Sequence, residues 1–119
     1  MKDYKLAESE YRFMKIVWEN QPLTSANLVK LCAEKLEWKK STTYTVLKRL
    51  AEKEMVKNDS SNIIPLVTQK EVQRYESNSV VSRSFDGSLP GFIAAFMDGK
   101  KLSKEDADRI RKMIEEFEE

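Results

Sequence analysis

Between Trp38 and Asn58 six basic side chains (Lys39, Lys40, Lys48, Arg49, Lys53 and Lys57) stand against two acids, Glu52 and Glu54, and among them lie the hydroxyls of Ser41, Thr42 and Thr45. That mixture suits a polyanion. Lysine neutralises phosphate without reading sequence, small hydroxyls allow close approach to phosphates and base edges, and arginine can meet a guanine through two parallel hydrogen bonds. A charge cluster of this size also fits an ordinary solvated helix face, so the chemistry needs a scaffold to support it. The net charge of +1 conceals an asymmetry: residues 1–68 carry 12 basic and 9 acidic groups, hence +3, and residues 69–119 carry 9 and 11, hence −2.

Other chemistries find little material. The chain has no histidine and one cysteine, Cys32, so intrachain disulfides, nitrogen–sulfur metal cages and Ser-His or Cys-His nucleophile pairs are all excluded. No enzyme activity, metal or cofactor is expected. The acids of the C-terminal stretch, Glu105 to Glu119, read as a solvated face with favourable charges in a first helical turn. The opening MKDYKLAESEYRF lacks the apolar centre of a signal peptide, and the longest apolar run, Phe92 to Met97, is too short to span a bilayer. The expectation is a soluble, cytoplasmic protein without membrane insertion.

The elements that must position the basic cluster follow from apolar spacing. Tyr11, Met14, Val17 and Trp18 mark a one-faced helix from Glu8 to Glu19 that must stop before Gln21-Pro22. Thr24 is placed to cap a second helix with Leu28, Leu31, Cys32 and Leu36 inward, ending at Glu37-Trp38. A third helix begins near Ser41 as a hydroxyl cap and buries Thr43, Val46, Leu47 and Leu50. Met55 to Lys57 and Ile63 to Val67 then read as two brief strands around a polar turn. Three short helices followed by a β-hairpin is the order of a winged helix-turn-helix. With Val46, Leu47 and Leu50 inward, Ser41, Thr45 and Lys48 point nearly opposite, and Thr42 and Arg49 flank them on one edge.

Beyond Thr68, a candidate cap, helices are expected over 69–85, 89–97 and 103–117, the last opened by Ser103 with Asp106 in a capping-box arrangement. Their apolar residues include Val72, Tyr75, Phe85, Leu89, Phe92, Ile93, Phe96, Ile110, Met113, Ile114 and Phe117, more than three such helices can bury among themselves. A second copy of the chain would cover them. The fold class is therefore mainly α with a small β-hairpin: an N-terminal winged helix-turn-helix over 1–68 and a helical dimerisation region over 69–119. Phe92, Ile93, Phe96 and Met97 could alternatively line a small-molecule pocket, but their spacing describes a dimer seam better. Trp18, Trp38 and Cys32 read as packing residues, whereas Tyr44 lies off the buried stripe and could either cover a neighbouring helix or touch a thymine methyl or sugar.

The order and spacing of several short pieces resembles the penicillinase repressor family, the BlaI/MecI/CopY regulators. The pieces are Leu6-Ala7-Glu8-Ser9-Glu10 leading to Val17-Trp18; Leu23-Thr24; Trp38 ahead of Thr42, Thr45, Leu47, Arg49-Leu50 and Lys53; Pro65; Phe85 with Gly87-Ser88; and Leu102-Ser103. The resemblance runs from about Leu6 to Glu116. It implies a homodimeric transcriptional repressor of resistance or metal-homeostasis genes, bound to a palindromic double-stranded operator of the TACA/TGTA type. The DNA-binding set would be Lys40, Ser41, Thr42, Tyr44, Thr45, Lys48, Arg49 and Lys53, with Ser41, Thr42, Thr45 and Arg49 as recognition-helix contacts. The dimer set would be Phe85, Leu89, Phe92, Ile93, Phe96, Ile110, Met113, Ile114 and Phe117. Proteolysis by a membrane sensor protease would fall at Ala95-Phe96, where this sequence has Ala95 in place of the family's Asn. The hairpin is shorter than the family's and has Asn62 and Ile63 near its Gly-Arg and Tyr, and no cysteine-rich copper motif lies between Lys100 and Glu119. The reading from a different class is a winged-helix protein-interaction module that never touches DNA.

Overall fold

A computed structural model of the chain describes residues 3–119. The elements run α1 (Glu8–Glu19), β1 (Leu23–Thr24), α2 (Ser25–Leu36), α3 (Lys40–Glu52), β2 (Val56–Asp59), β3 (Asn62–Pro65), α4 (Gln69–Ser84), α5 (Leu89–Met97) and α6 (Lys104–Phe117). Contacts divide the chain into two units, Met1–Ser79 and Val80–Glu119.

In the first unit α1, α2 and α3 enclose a core of Phe13, Met14, Val17, Leu28, Cys32, Val46, Leu47 and Leu50, closed on the sheet side by Leu23, Met55, Val56 and Ile63. The inward stripe of α3 is the expected one, with Thr43, Val46, Leu47 and Leu50 all buried. On α1 the buried face is wider than the sequence pattern suggested: Glu10, Phe13 and Ile16 are buried beside Met14 and Val17, and Tyr11 and Trp18 are only half-buried at its margin. The reason is that α1 packs against α2 on one side and β3 on another. Trp18 keeps its indole N–H satisfied at the Val67 carbonyl, 2.9 Å away, and sets its ring edge-on to Tyr11.

The hairpin becomes a three-stranded antiparallel sheet of order β1-β3-β2, since Leu23-Thr24 pairs with Asn62-Ile63. A two-residue strand is too short to leave an alternating pattern in the sequence. Ser60 and Ser61 form the hairpin turn with φ of 51° and 71°, both left-handed, the geometry whose twist matches a two-residue hairpin.

Thr24 caps α2 by accepting from the Asn27 N–H. Glu37, at φ 57°, ends that helix, and both Glu37 and Trp38 donate their N–H groups to the Cys32 carbonyl. Helix α3 starts earlier than expected: Lys39 is its N-cap residue, without a side-chain cap bond, and Ser41 already lies inside the first turn. Trp38 stacks on Phe13 (ring centroids 6.2 Å apart), which fixes the chain just ahead of the helix and frees the Ser41 hydroxyl from a capping role.

Thr68 and Glu71 cap α4 reciprocally, Thr68 Oγ1 accepting from Glu71 N–H and Glu71 Oε1 from Thr68 N–H. Val72 is fully buried in the first unit's core, and Tyr75 meets Tyr4 there, so the start of α4 packs with this unit. In the second unit α5 and α6 contain no buried residue. Ser88 caps α5 and Ser103 caps α6, through Gly91 N–H and Asp106 N–H respectively.

Candidate nucleic-acid interface

The buried stripe of α3 fixes which way its remaining side chains face. Lys40, Ser41, Thr42, Tyr44, Thr45, Lys48 and Arg49 are exposed and Lys53 is half-buried. Tyr44 is 39% exposed, so part of its ring is open to solvent on the same outward side. No acid occurs on α3 before Glu52. Ser41, Thr42, Thr45 and Arg49 line one shallow open groove together with Ser9, Trp38 and Val46. The Thr45 hydroxyl donates to the Ser41 carbonyl at 2.9 Å, so its lone pairs remain directed outward as acceptors.

Two of the cations also have partners within the chain. Arg49 Nε donates to Glu10 Oε2 at 2.9 Å, with the arginine side chain half-exposed and the glutamate side chain 8% exposed. Lys53 Nζ donates to the Lys5 carbonyl. The second Glu10 oxygen accepts from Ala7 N–H at 2.8 Å, the backbone half of a capping box whose other half alanine cannot supply. Burial pushes the Glu10 carboxyl up, but the bonds from Ala7 and Arg49 and the fields of Lys53 and Arg49 outweigh it, and the net displacement is downward. Glu10 thus stays an anion at neutral pH.

Glu10, Ser9 and Trp38 also border this face, although none of them belongs to the basic cluster. Glu10 carried a signal nonetheless: it lies three and four residues before Phe13 and Met14, an acid on the buried side of α1, where an unpaired charge is too costly to persist.

The candidate dimer residues lie where α5 and α6 expose them. Phe85 and Phe92 are half-buried and pack edge-on at 5.4 Å, and Phe92 meets Phe96 at 6.2 Å. Leu89, Ile93 and Phe96 are exposed on α5, and Ile110, Met113, Ile114 and Phe117 form one exposed stripe on α6, Phe117 at 80%. Lys100 Nζ sits 4.1 Å from the centre of the Phe96 ring. The Ala95-Phe96 bond lies within the last turn of α5, its Ala95 carbonyl accepting from Asp98 N–H.

Cys32 is buried and its thiol is pushed up by that burial, a packing residue rather than a reactive one. Among the described residues there is no group of three or more His, Cys, Asp or Glu side chains able to hold a metal ion, and no helix is long and apolar enough to cross a membrane.

A three-helix core with a small antiparallel wing, showing solvent the basic and hydroxyl-bearing face of its third helix, defines a winged helix-turn-helix transcriptional regulator. The family model described as Penicillinase repressor matches residues 6–116. The chain belongs to this family, whose members are transcriptional repressors and not enzymes. It is similar to the methicillin resistance regulatory protein MecI of Staphylococcus aureus (20% identity, 95% of each chain covered). It is also similar to the penicillinase repressor of Bacillus licheniformis (21% identity, 94% of this chain and 91% of the relative). An uncharacterized 16.5 kDa protein from Latilactobacillus sakei is 25% identical over 92% of this chain and 78% of its own length.

Proposed function

We propose that this protein is a cytoplasmic homodimer that represses transcription by seating α3 in the major groove of each half of a palindromic operator. The observation that carries the reading is the outward face of α3, where Lys40, Ser41, Thr42, Tyr44, Thr45, Lys48 and Arg49 stand exposed over a rigid buried stripe. In this reading Arg49 with Ser41, Thr42 and Thr45 reads bases, Lys40, Lys48 and Lys53 neutralise phosphates, and Tyr44 contacts sugar or a thymine methyl. In function, residues 1–68 act as the DNA-binding domain and 69–119 as the dimerisation region, the start of α4 serving also as packing for the first. The exposed apolar residues of α5 and α6, with Phe85, pair with their counterparts in a second copy, which sets two recognition helices about 34 Å or somewhat more apart.

Repression is relieved by cutting beside Phe96, and a sensor protease at the membrane would be the agent. A protease binds extended substrate, so it must first unwind the last turn of α5 and draw Phe96 from beneath Lys100. The DNA assignment is tested by comparing Arg49→Ala with Lys40→Ala on operator and random duplexes. Arg49→Ala should lose preference at one base, on the order of 1–3 kcal/mol, and Lys40→Ala should weaken all DNA alike and flatten the salt dependence. Equal effects of both changes on both duplexes would contradict the division of roles, and no DNA binding by the wild type would favour a protein-interaction module.

A further inference from the structure

We infer that Glu10, a buried residue of α1, is a positioning residue for base recognition, holding the Arg49 guanidinium by its Nε and leaving the terminal donors free for the groove that Arg49 lines. The inference rests on the repressor reading above and adds to it a determinant outside the recognition helix.

The geometry is that of a fixed strut. One Glu10 oxygen is held by Ala7 N–H at 2.8 Å and the other by Arg49 Nε at 2.9 Å, so the carboxylate can neither rotate nor leave without losing a bond. Its side chain is 8% exposed while that of Arg49 is 50% exposed. Glu10 therefore takes the inner Nε donor and leaves the two terminal nitrogens for an outside acceptor pair. Arg49 itself lines the shallow groove together with Ser41, Thr42 and Thr45. A guanine edge offers two acceptors that a planar fork meets in parallel. An unrestrained arginine would have to be ordered at the moment of binding, whereas here most of that ordering is already present in the free protein. The arrangement also accounts for a carboxylate among Phe13, Met14 and Val17 on the buried side of α1, where an apolar side chain would pack without any desolvation cost.

The test uses the full-length protein and a randomised duplex library, reading preference base by base. Three changes are compared with the wild type: Arg49→Ala, Glu10→Met, which keeps an unbranched chain of similar length but removes both acceptors, and Glu10→Gln, which keeps one. Arg49→Ala should flatten one position per half-site, by about tenfold in discrimination. Glu10→Met should flatten the same position and no other, Glu10→Gln should fall between, and Glu10→Met added to Arg49→Ala should change nothing further. A purely structural role would lower the active fraction without touching a single base position, and thermal unfolding of each variant reports that separately. The inference is overturned if Glu10→Met leaves that position intact while Arg49→Ala flattens it. Sharpening of the position by Glu10→Met would also overturn it, because the ion pair would then be withholding Arg49. A wild-type protein that selects no sequence at all removes the repressor reading and this inference together.

Discussion

Ile114 lies mid-stripe on α6 and is 58% exposed in the single chain, so its replacement by alanine should cost the isolated chain little and a dimer much. The three carbons separating the two side chains are each worth about 0.8 kcal/mol on burial, roughly 2.4 kcal/mol in all. Scaling by the 58% still available for burial leaves about 1.4 kcal/mol per copy. A two-fold interface contains the residue twice, so the dimer should lose about 3 kcal/mol, which is a hundredfold or somewhat more in its dissociation constant. Sedimentation equilibrium over a wide range of protein concentration measures that constant directly. Thermal unfolding supplies the companion reading: the wild-type midpoint should rise with protein concentration, and the variant should require about a hundredfold more protein to reach the same midpoint. A dissociation constant within threefold of the wild type would show that the α6 stripe is not in the interface. A large loss of stability that does not depend on concentration would show that Ile114 is needed by the chain itself.

Three further outcomes follow from the first unit. Leu50 is fully buried on the inner face of α3, and Leu50→Ala should lower unfolding stability by about 2–5 kcal/mol in a urea titration, less than 1 kcal/mol being incompatible with that packing. Because the Glu10 carboxyl is held below its ordinary range when folded, its contribution is complete above the unfolded value and is lost as pH falls through the folded one. The stability gap between wild type and Glu10→Gln should therefore be largest at neutral pH and close on acidification, and a gap that stays constant from pH 7 to pH 3 would refute the pairing. Ser61 sits at φ 71°, where glycine is relaxed and serine strained; Ser61→Gly should raise stability by about 0.5 kcal/mol or more, whereas a loss would mean that the turn depends on its side chain.

The helical part of the fold was legible because it rests on periodicity. The stripe Thr43, Val46, Leu47 and Leu50 fixes both the existence of α3 and its orientation, and with them the outward set from Ser41 to Arg49. Leu23-Thr24 could not be recognised as a strand, since two residues have no period and their pairing with Ile63 and Asn62 is non-local. The helix start was displaced for a related reason: a hydroxyl at Ser41 is a good local cap, but the stacking of Trp38 on Phe13 and the left-handed Glu37 decide where the chain enters the helix. Apolar spacing along α4 likewise did not disclose that Val72 is buried with the winged-helix core. The Glu10–Arg49 pair joins residues on different helices, and only the folded chain brings them within 2.9 Å. The exposed face of α6, by contrast, was visible as soon as Ile110, Met113, Ile114 and Phe117 fell on one stripe.

Sequence-specific DNA binding by α3 is measured by fluorescence anisotropy. The full-length protein is titrated onto a labelled short duplex carrying the TACA/TGTA palindrome and onto a scrambled duplex, each at two salt concentrations. The expected result is a preference of about a thousandfold for the palindrome, with affinity for both duplexes falling steeply as salt rises. Weak binding, equal on both duplexes and indifferent to salt, would contradict it and leave α3 as a surface for another protein.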